Sequence, residues 1–227
     1  MNGGDASGEF TTSEAGPWPA FADLLAATSL LFLILFTSVA LPAMRQSSKN
    51  KSRETTLNTL DSVFARDTSR AKYRLKKTGN YLLIRIPDNV TFQQGKYRLE
   101  DMQPQGQQIL SGIAKRVRED SLTGKIDQIE VVGHTSSEGD NSRNWILSAQ
   151  RAVTVALYLI EHDGLSPCQV SALGRGRYYP VNPPLAKAES TVHPEDRRIE
   201  LEITPLVKDS TQVLRRAGCV PEPGTGK

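Results

Sequence analysis

Asp23 is the single ionisable residue in a long apolar run, WPAFADLLAATSLLFLILFTSVALP, which extends from Trp18 to Pro42. A charged side chain at the centre of a membrane costs about 2.5 to 3.5 kcal/mol, so an acid in such a run should face protein or water. An acid that exchanges between its neutral and its charged form can carry a proton. The alternative is an acid at the membrane surface whose side chain reaches water.

The apolar run is long enough to cross a bilayer. Residues 20–41 number 22, and a helix of that length reaches ~33 Å, against a hydrocarbon core of ~30 Å. We expect the helix to begin near Pro19 and to end at Pro42, because proline suits a first helical turn and interrupts a helix interior. Residues 1–18 carry acids but no lysine or arginine, which predicts an uncleaved anchor rather than a signal peptide.

Changes in amino-acid composition along the chain predict five segments. Residues 43–79 are basic and contain apolar residues at helical spacing, namely Leu57, Leu60 and Phe64, which predicts a linker that is partly helical. The segments are a disordered tail at 1–18, the transmembrane helix at 19–42, the linker at 43–79, a folded domain at 80–205 and a polar tail at 206–227.

Strand and helix patterns alternate from residue 80 onward. YLLIRI, IDQIEVVGHT, QVSALG and RRIELEI have the composition of strands, whereas QGQQILSGIAKRVRED and NWILSAQRAVTVALYLIEHDG have helical periodicity. In RRIELEI the apolar residues alternate with Glu200 and Glu202, which predicts one covered face and one wet face. Together these patterns predict a two-layer α/β sandwich.

A motif on the second of these helices has several fixed spacings. It is NxxLSxxRAxxVxxYL, formed by Asn144, Leu147, Ser148, Arg151, Ala152, Val155, Tyr158 and Leu159. Residues 80–205 therefore resemble the OmpA-like peptidoglycan-associated domain. The resemblance implies a peptidoglycan-binding site that contains Arg151, Asn144, Leu147 and the loop residue Ser136.

Ser136 stands where the family has an aspartate. In the family that aspartate binds the ammonium group of the diaminopimelate in the wall peptide, and the arginine equivalent to Arg151 binds a carboxylate. A hydroxyl does not neutralise an ammonium group. The alternatives are weaker wall binding, use of Glu138 or Asp140 instead, or another ligand.

The combination of a lone apolar span that opens with FADLL and an OmpA-like domain is similar to the MotB-type stator subunits. Among them it is most similar to the ZorB subunit of Zorya anti-phage defence systems. The resemblance implies an inner-membrane rotary motor, in which a homodimer of B subunits lies inside a ring of five polytopic MotA/ZorA-like A subunits. Asp23 would carry the translocated ion, H⁺ rather than Na⁺.

The resemblance also implies a cytoplasmic N-terminus and a periplasmic domain. The charge pattern predicts the opposite orientation, because basic residues follow the span at Arg45, Lys49, Lys51 and Arg53. We favour the family orientation, since a wall-binding domain in the cytoplasm would have nothing to hold. The alternative functions are a flagellar MotB subunit and a membrane-tethered wall anchor that conducts no ions.

Other function classes have little support in the sequence. A net charge of +3 and 6% aromatic residues do not indicate a nucleic-acid partner. No GxSxG, HExxH or Walker sequence occurs, so we expect no enzyme activity and no cofactor. The cysteines, Cys168 and Cys219, and the three histidines lack metal-binding spacing. The cysteines could form one disulfide in an oxidising compartment or remain as thiols.

Overall fold

The computed structural model describes residues 17–66, 72–119, 122, 124–182 and 193–206. Almost all of the two predicted tails lies outside these residues, and so does Cys219. Internal contacts divide the chain into two units, Met1–Ser48 and Lys49–Lys227, and each is described by itself.

The first unit contains the apolar part of helix α1, which spans Trp18–Ala65. By length and composition this helix could cross a membrane. The hydroxyls of Thr28 and Thr37 donate to backbone carbonyls one turn earlier, which satisfies polar groups in an apolar segment.

Pro42 lies inside α1, so the prediction that the helix ends there is wrong. Proline removes one intrahelical hydrogen bond and costs about 3 kcal/mol or more in a helix interior. Beyond Pro42 the helix has its own stabilisation in the second unit, because Leu57, Leu60 and Phe64 are buried in the domain core. The apolar spacing of these three residues therefore predicted a real helical segment, but one that continues α1.

The second unit is a five-stranded sheet with helices packed on it. Its strands are β1 Arg74–Lys77, β2 Leu82–Pro87, β3 Ile126–His134, β4 Val170–Gly174 and β5 Arg198–Pro205. Its helices are a short α2 at Asp88–Thr91, α3 at Pro104–Val117 and α4 at Asn141–Leu157, which continues as a π-helical turn at Tyr158–His162. Short 3₁₀ turns occur at Leu99–Asp101 and Pro194–Asp196.

The strand order is β1-β2-β5-β3-β4, and only β3 and β4 run parallel. One sheet face carries Ile84, Val131 and Leu201 into a core that also contains Ile109 of α3 and Val155 of α4. The predicted two-layer α/β sandwich is confirmed. The domain begins earlier than residue 80, because β1 and residues 57–64 belong to its sheet and core.

The predicted wet face of β5 is wrong. Glu200 and Glu202 are 4% and 9% exposed, because β5 lies between β2 and β3 and its acids are covered by neighbouring charged side chains. Glu200 pairs with Arg85 of β2, and Glu202 pairs with Arg175. Periodicity identified the two faces of the strand but not what covers the second one.

Candidate functional site

The loop between β3 and α4 is tied to the first turn of α4. The Asp140 carboxylate accepts a hydrogen bond of 3.0 Å from the Arg143 amide and caps the helix. The Asn144 amide group donates to the carbonyl of Glu138 at 2.6 Å and to that of Ser136 at 3.4 Å. Asn144 thus sets the course of the loop that carries Ser136, and Asp140 has a structural role.

Arg151 lies on α4 two turns after Asn144 and is 1% exposed. Its Nη1 is 2.9 Å from Asp88 Oδ1, its Nε donates to the Lys96 carbonyl at 2.8 Å, and its Nη2 donates to the Gln93 carbonyl at 3.3 Å. Its guanidinium carbon lies 5.5 Å from the centre of the Phe92 ring. Arg151 therefore links α4 to the segment that follows β2.

Burial disfavours the charged forms of both members of this pair. It raises the pKa of Asp88, although the Arg151 and Arg197 charges oppose the change. Burial also lowers the pKa of Arg151, against the opposing effect of Asp88. A guanidinium remains protonated in proteins, so Arg151 is a buried cation whose countercharge is Asp88.

Ser136 is 4% exposed, and so is its neighbour Thr135. The hydroxyls of Thr135 and Ser137 are buried and have no hydrogen-bond partner within the described ranges. Such groups are usually satisfied by a water or a ligand. The loop therefore presents neutral hydroxyls at the position where the resemblance would place an aspartate.

Glu138 is an accessible acid of this loop, with a side chain that is 54% exposed. Its Oε2 lies 3.1 Å from Nη1 of Arg197, which precedes β5. The structure thus brings the loop residues Ser136 and Glu138 together with Asn144 in the first turn of α4. Leu147 is half-buried on α4, and the partners of Arg151 lie at 88–96.

Sequence reasoning missed Asp88 and Arg197, which both line two cavities of about 530 and 380 Å³. Asp88 follows directly after β2, and Arg197 belongs to an unusual cluster of charges in PEDRRIELE. Either feature could have identified its residue as a candidate site residue. Neither local pattern says which distant residue is its partner.

Sequence reasoning also missed a buried charge cluster around Glu200. Its Oε1 accepts hydrogen bonds from Arg198 Nε at 2.7 Å and Arg85 Nε at 2.8 Å, and its Oε2 lies 3.2 Å from His134 Nε2. Burial raises the pKa of Glu200, but His134 and Arg198 outweigh it and hold that pKa well below its ordinary value. Burial lowers the pKa of His134, so His134 is neutral near pH 7.

Three other predicted residues are not among the residues of this site. Asp23 is exposed on α1 in the first unit. Cys168 is disulfide-bonded, and Cys219 lies outside the described residues, so their pairing stays a prediction.

The comparisons with known proteins concern the same domain. Residues 91–192 match the OmpA family. The chain is 31% identical over 130 residues to the probable lipoprotein YiaD of Escherichia coli (strain K12), covering 57% of this chain and 54% of YiaD. It is also 31% identical over 136 residues to Motility protein B of Bacillus subtilis (strain 168), covering 57% of this chain and 48% of that protein. The chain thus spans about half the length of the curated relatives it matches.

Two solved structures share the fold. A putative MotB-like protein from Desulfovibrio vulgaris superposes with a TM-score of 0.57 at 20% identity, covering 71% of this chain and 96% of that one. The cell wall anchor of the T6SS from Pseudomonas aeruginosa superposes with a TM-score of 0.51 at 23% identity, covering 65% and 97%. The chain therefore joins an N-terminal apolar helix to an OmpA-like α/β domain. It has a Motility protein B homologue and MotB-like structural neighbours.

Proposed function

We propose that this chain is the B subunit of an ion-driven rotary motor that is anchored to the cell wall. One observation carries the proposal: an apolar helix with a lone acid, Asp23, belongs to the same chain as an OmpA-like domain. The similarity to Motility protein B supports the same role. The role is transport and force generation, and we propose no enzyme activity.

In the proposed complex a homodimer of this chain lies inside a ring of polytopic A subunits, five in number. Asp23 takes up an ion, preferably H⁺, from one side of the inner membrane and releases it to the other. The change of charge at the contact between A and B subunits drives rotation. The N-terminus lies in the cytoplasm, and the OmpA-like domain lies in the periplasm and holds the peptidoglycan.

The proposed peptidoglycan site is the end of the domain that carries Ser136, Asn144, Leu147 and Arg151. Arg151 has one weak hydrogen bond, that of Nη2 to the Gln93 carbonyl at 3.3 Å. A wall carboxylate can replace that bond without breaking the shorter contact with Asp88. Glu138, exposed and two residues beyond Ser136, supplies the negative charge that Ser136 lacks.

We further propose that the motor acts in anti-phage defence, like ZorB, with a flagellar role as the alternative. The acidic residues at the start of the chain, Asp5, Glu9 and Glu14, favour defence, because flagellar members usually begin with a basic cytoplasmic segment. Deletion of the gene distinguishes the two roles. Loss of phage resistance with normal swimming supports defence, and the opposite result supports motility.

The motor role is tested with Asp23→Asn, with Asp23→Glu as the matched control that keeps an acid. Each variant is co-expressed with the polytopic partner, and both co-purification and proton flux into vesicles are measured. We expect Asp23→Asn to co-purify normally but to abolish flux, whereas Asp23→Glu retains part of it.

The competing anchor role predicts a different pattern. For a wall anchor that conducts no ions, Asp23→Asn would be silent in a cell-based assay of function, whereas Arg151→Gln would abolish it. A chain that is a stable monomer and never co-purifies with a polytopic partner would contradict the motor role.

A further inference from the structure

The larger cavity of the domain, about 530 Å³, has a wall rich in arginine. Its charged lining residues are Arg74, Arg85, Arg197, Arg198, Asp88 and Glu195. Four guanidinium groups thus face two carboxylates, and the Asp88 carboxylate already contacts Arg151, which does not line the cavity. Arg197 also pairs with Glu138, and Arg85 and Arg198 share Glu200, so the remaining positive charge lies at Arg74 and beside the shared Glu200. The volume of the cavity suits a small ligand.

The register of the sheet places two of these arginines side by side. Arg74 of β1 is directly opposite Arg85 of β2, and Arg85 is directly opposite Glu200 of β5. Like charges directly opposite each other on adjacent strands destabilise a sheet. The repulsion between Arg74 and Arg85 therefore destabilises the sheet, and a bound anion would offset that repulsion.

Glu200 does not offset the repulsion between Arg74 and Arg85, because its carboxylate is shared among several partners. Its Oε1 accepts hydrogen bonds from both Arg85 and Arg198, and its Oε2 faces His134. Arg198 is 4% exposed, and its other nitrogens donate to the carbonyls of Asp196 and Tyr179. Within the described part of the chain Arg74 has no carboxylate partner, and Arg85 contacts Glu200 through Nε and Nη2.

We propose that this cavity is an anion subsite, in which Arg74 and Arg85 together hold the free carboxylate of a wall peptide. Two adjacent guanidinium groups match the two oxygens of a carboxylate. Asp88 and Glu195 on the same wall favour a peptide over a phosphate, because they accept hydrogen bonds from amide groups and repel a second negative charge. This subsite rests on the proposed wall-anchoring function and lies beyond the loop of Ser136 and Asn144.

The test uses the purified full chain in detergent and measures its affinity for three probes by calorimetry. The probes are an acetylated D-alanyl-D-alanine with a free carboxylate, the same peptide as its C-terminal amide, and inorganic phosphate. We expect the free carboxylate to bind about tenfold more tightly than the amide, as for the loss of one charge-assisted contact. Tighter binding of phosphate than of the carboxylate peptide would overturn the assignment, and equal binding of the two peptides would too.

Variants assign the effect to the two arginines. Arg74→Gln and Arg85→Gln should each weaken carboxylate binding about tenfold and remove the preference over the amide. Arg118→Gln, an exposed arginine at the end of α3, is the control and should change nothing. Because Arg74 is exposed and outside the Glu200 cluster, Arg74→Gln keeps the test valid even if Arg85→Gln fails to fold.

Sedimentation of the full chain with purified wall sacculi separates this inference from the proposed function. If the wild-type chain binds sacculi but Arg74→Gln leaves peptide binding unchanged, the anion subsite is wrong and wall anchoring stands. If the wild-type chain does not bind sacculi, wall anchoring is wrong. The anion subsite is then not a wall-binding site, even if the free peptide binds to the purified chain.

Discussion

The guanidinium of Arg151 on α4 contacts the carboxylate of Asp88 on α2, with Nη1 2.9 Å from Oδ1 and both side chains at most 7% exposed. The two residues are 63 positions apart in the sequence. This ion pair joins the helix that carries the OmpA-like motif to the segment that follows β2. It is therefore a structural link as well as a part of the candidate site.

Replacing one member of this ion pair should strongly destabilise the domain. Asp88→Leu leaves Arg151 as a buried cation without its countercharge, and we expect a loss of about 3 to 5 kcal/mol in the free energy of unfolding. The double variant Asp88→Leu with Arg151→Met should lose less than the two single variants combined, because no charge is left uncompensated. Urea denaturation of the full chain measures all of them. Glu161→Gln, at an exposed acid, is the control, and additive losses would contradict the coupling.

The Glu200 cluster should make the domain less stable in mild acid. The pKa of His134 in the folded state lies below its ordinary value of 6.5, so the unfolded chain binds a proton first as the pH falls. The free energy of unfolding then decreases below about pH 7 by at most about 1.4 kcal/mol per pH unit for this residue. The lowered pKa of Glu200 adds a loss of the same sign below its ordinary value of 4.5.

His134→Gln should reduce the slope of stability against pH between pH 7 and pH 5. Denaturation at several pH values gives the slope, and His193→Gln, whose side chain is 40% exposed, is the control. An unchanged slope in His134→Gln would exclude this residue as its source.

Gly133 allows α4 to lie directly on β3. A Cβ atom at this position would overlap the backbone carbonyl of Ser148, which cannot move without moving the helix. Gly133→Ala should therefore destabilise the domain by about 3 kcal/mol, in the upper range of single substitutions. Gly112→Ala on α3 is a matched control, because a Cβ there meets no atom within 4 Å. It should be neutral or stabilise by up to about 1 kcal/mol, and thermal melting of both variants checks the difference.

The C-terminal part of α1 should contribute to the stability of the OmpA-like domain. Leu60 is fully buried, so Leu60→Ala should lower the free energy of unfolding by about 2 to 5 kcal/mol. Leu99→Ala removes the same atoms from a side chain that is 50% exposed and should cost less than about 1 kcal/mol. Equal effects of the two substitutions in urea denaturation would mean that residues 57–64 are only a linker.

Local patterns were sufficient for most of the fold. The composition of YLLIRI predicted β2, the alternation in RRIELEI predicted β5, and the long amphipathic stretch beginning at Asn144 predicted α4. These signals depend only on neighbours in the sequence. The end of α1 was missed for the opposite reason. Pro42 is a local helix-breaking signal, and the packing of Leu57, Leu60 and Phe64 in the core outweighed it.

The sequence by itself determined the apolar run with Asp23, the order of β2, α3, β3, α4, β4 and β5, and the motif on α4. Only the tertiary structure decided which charges meet: Asp88 with Arg151, Glu138 with Arg197, and Glu200 with Arg85, Arg198 and His134. The physical reason is that β5 inserts between β2 and β3. Pairing of β5 with β2 brings Arg85 to Glu200 across 115 positions, and the packing of α4 joins Arg151 to Asp88. Periodicity along one strand cannot encode its neighbours.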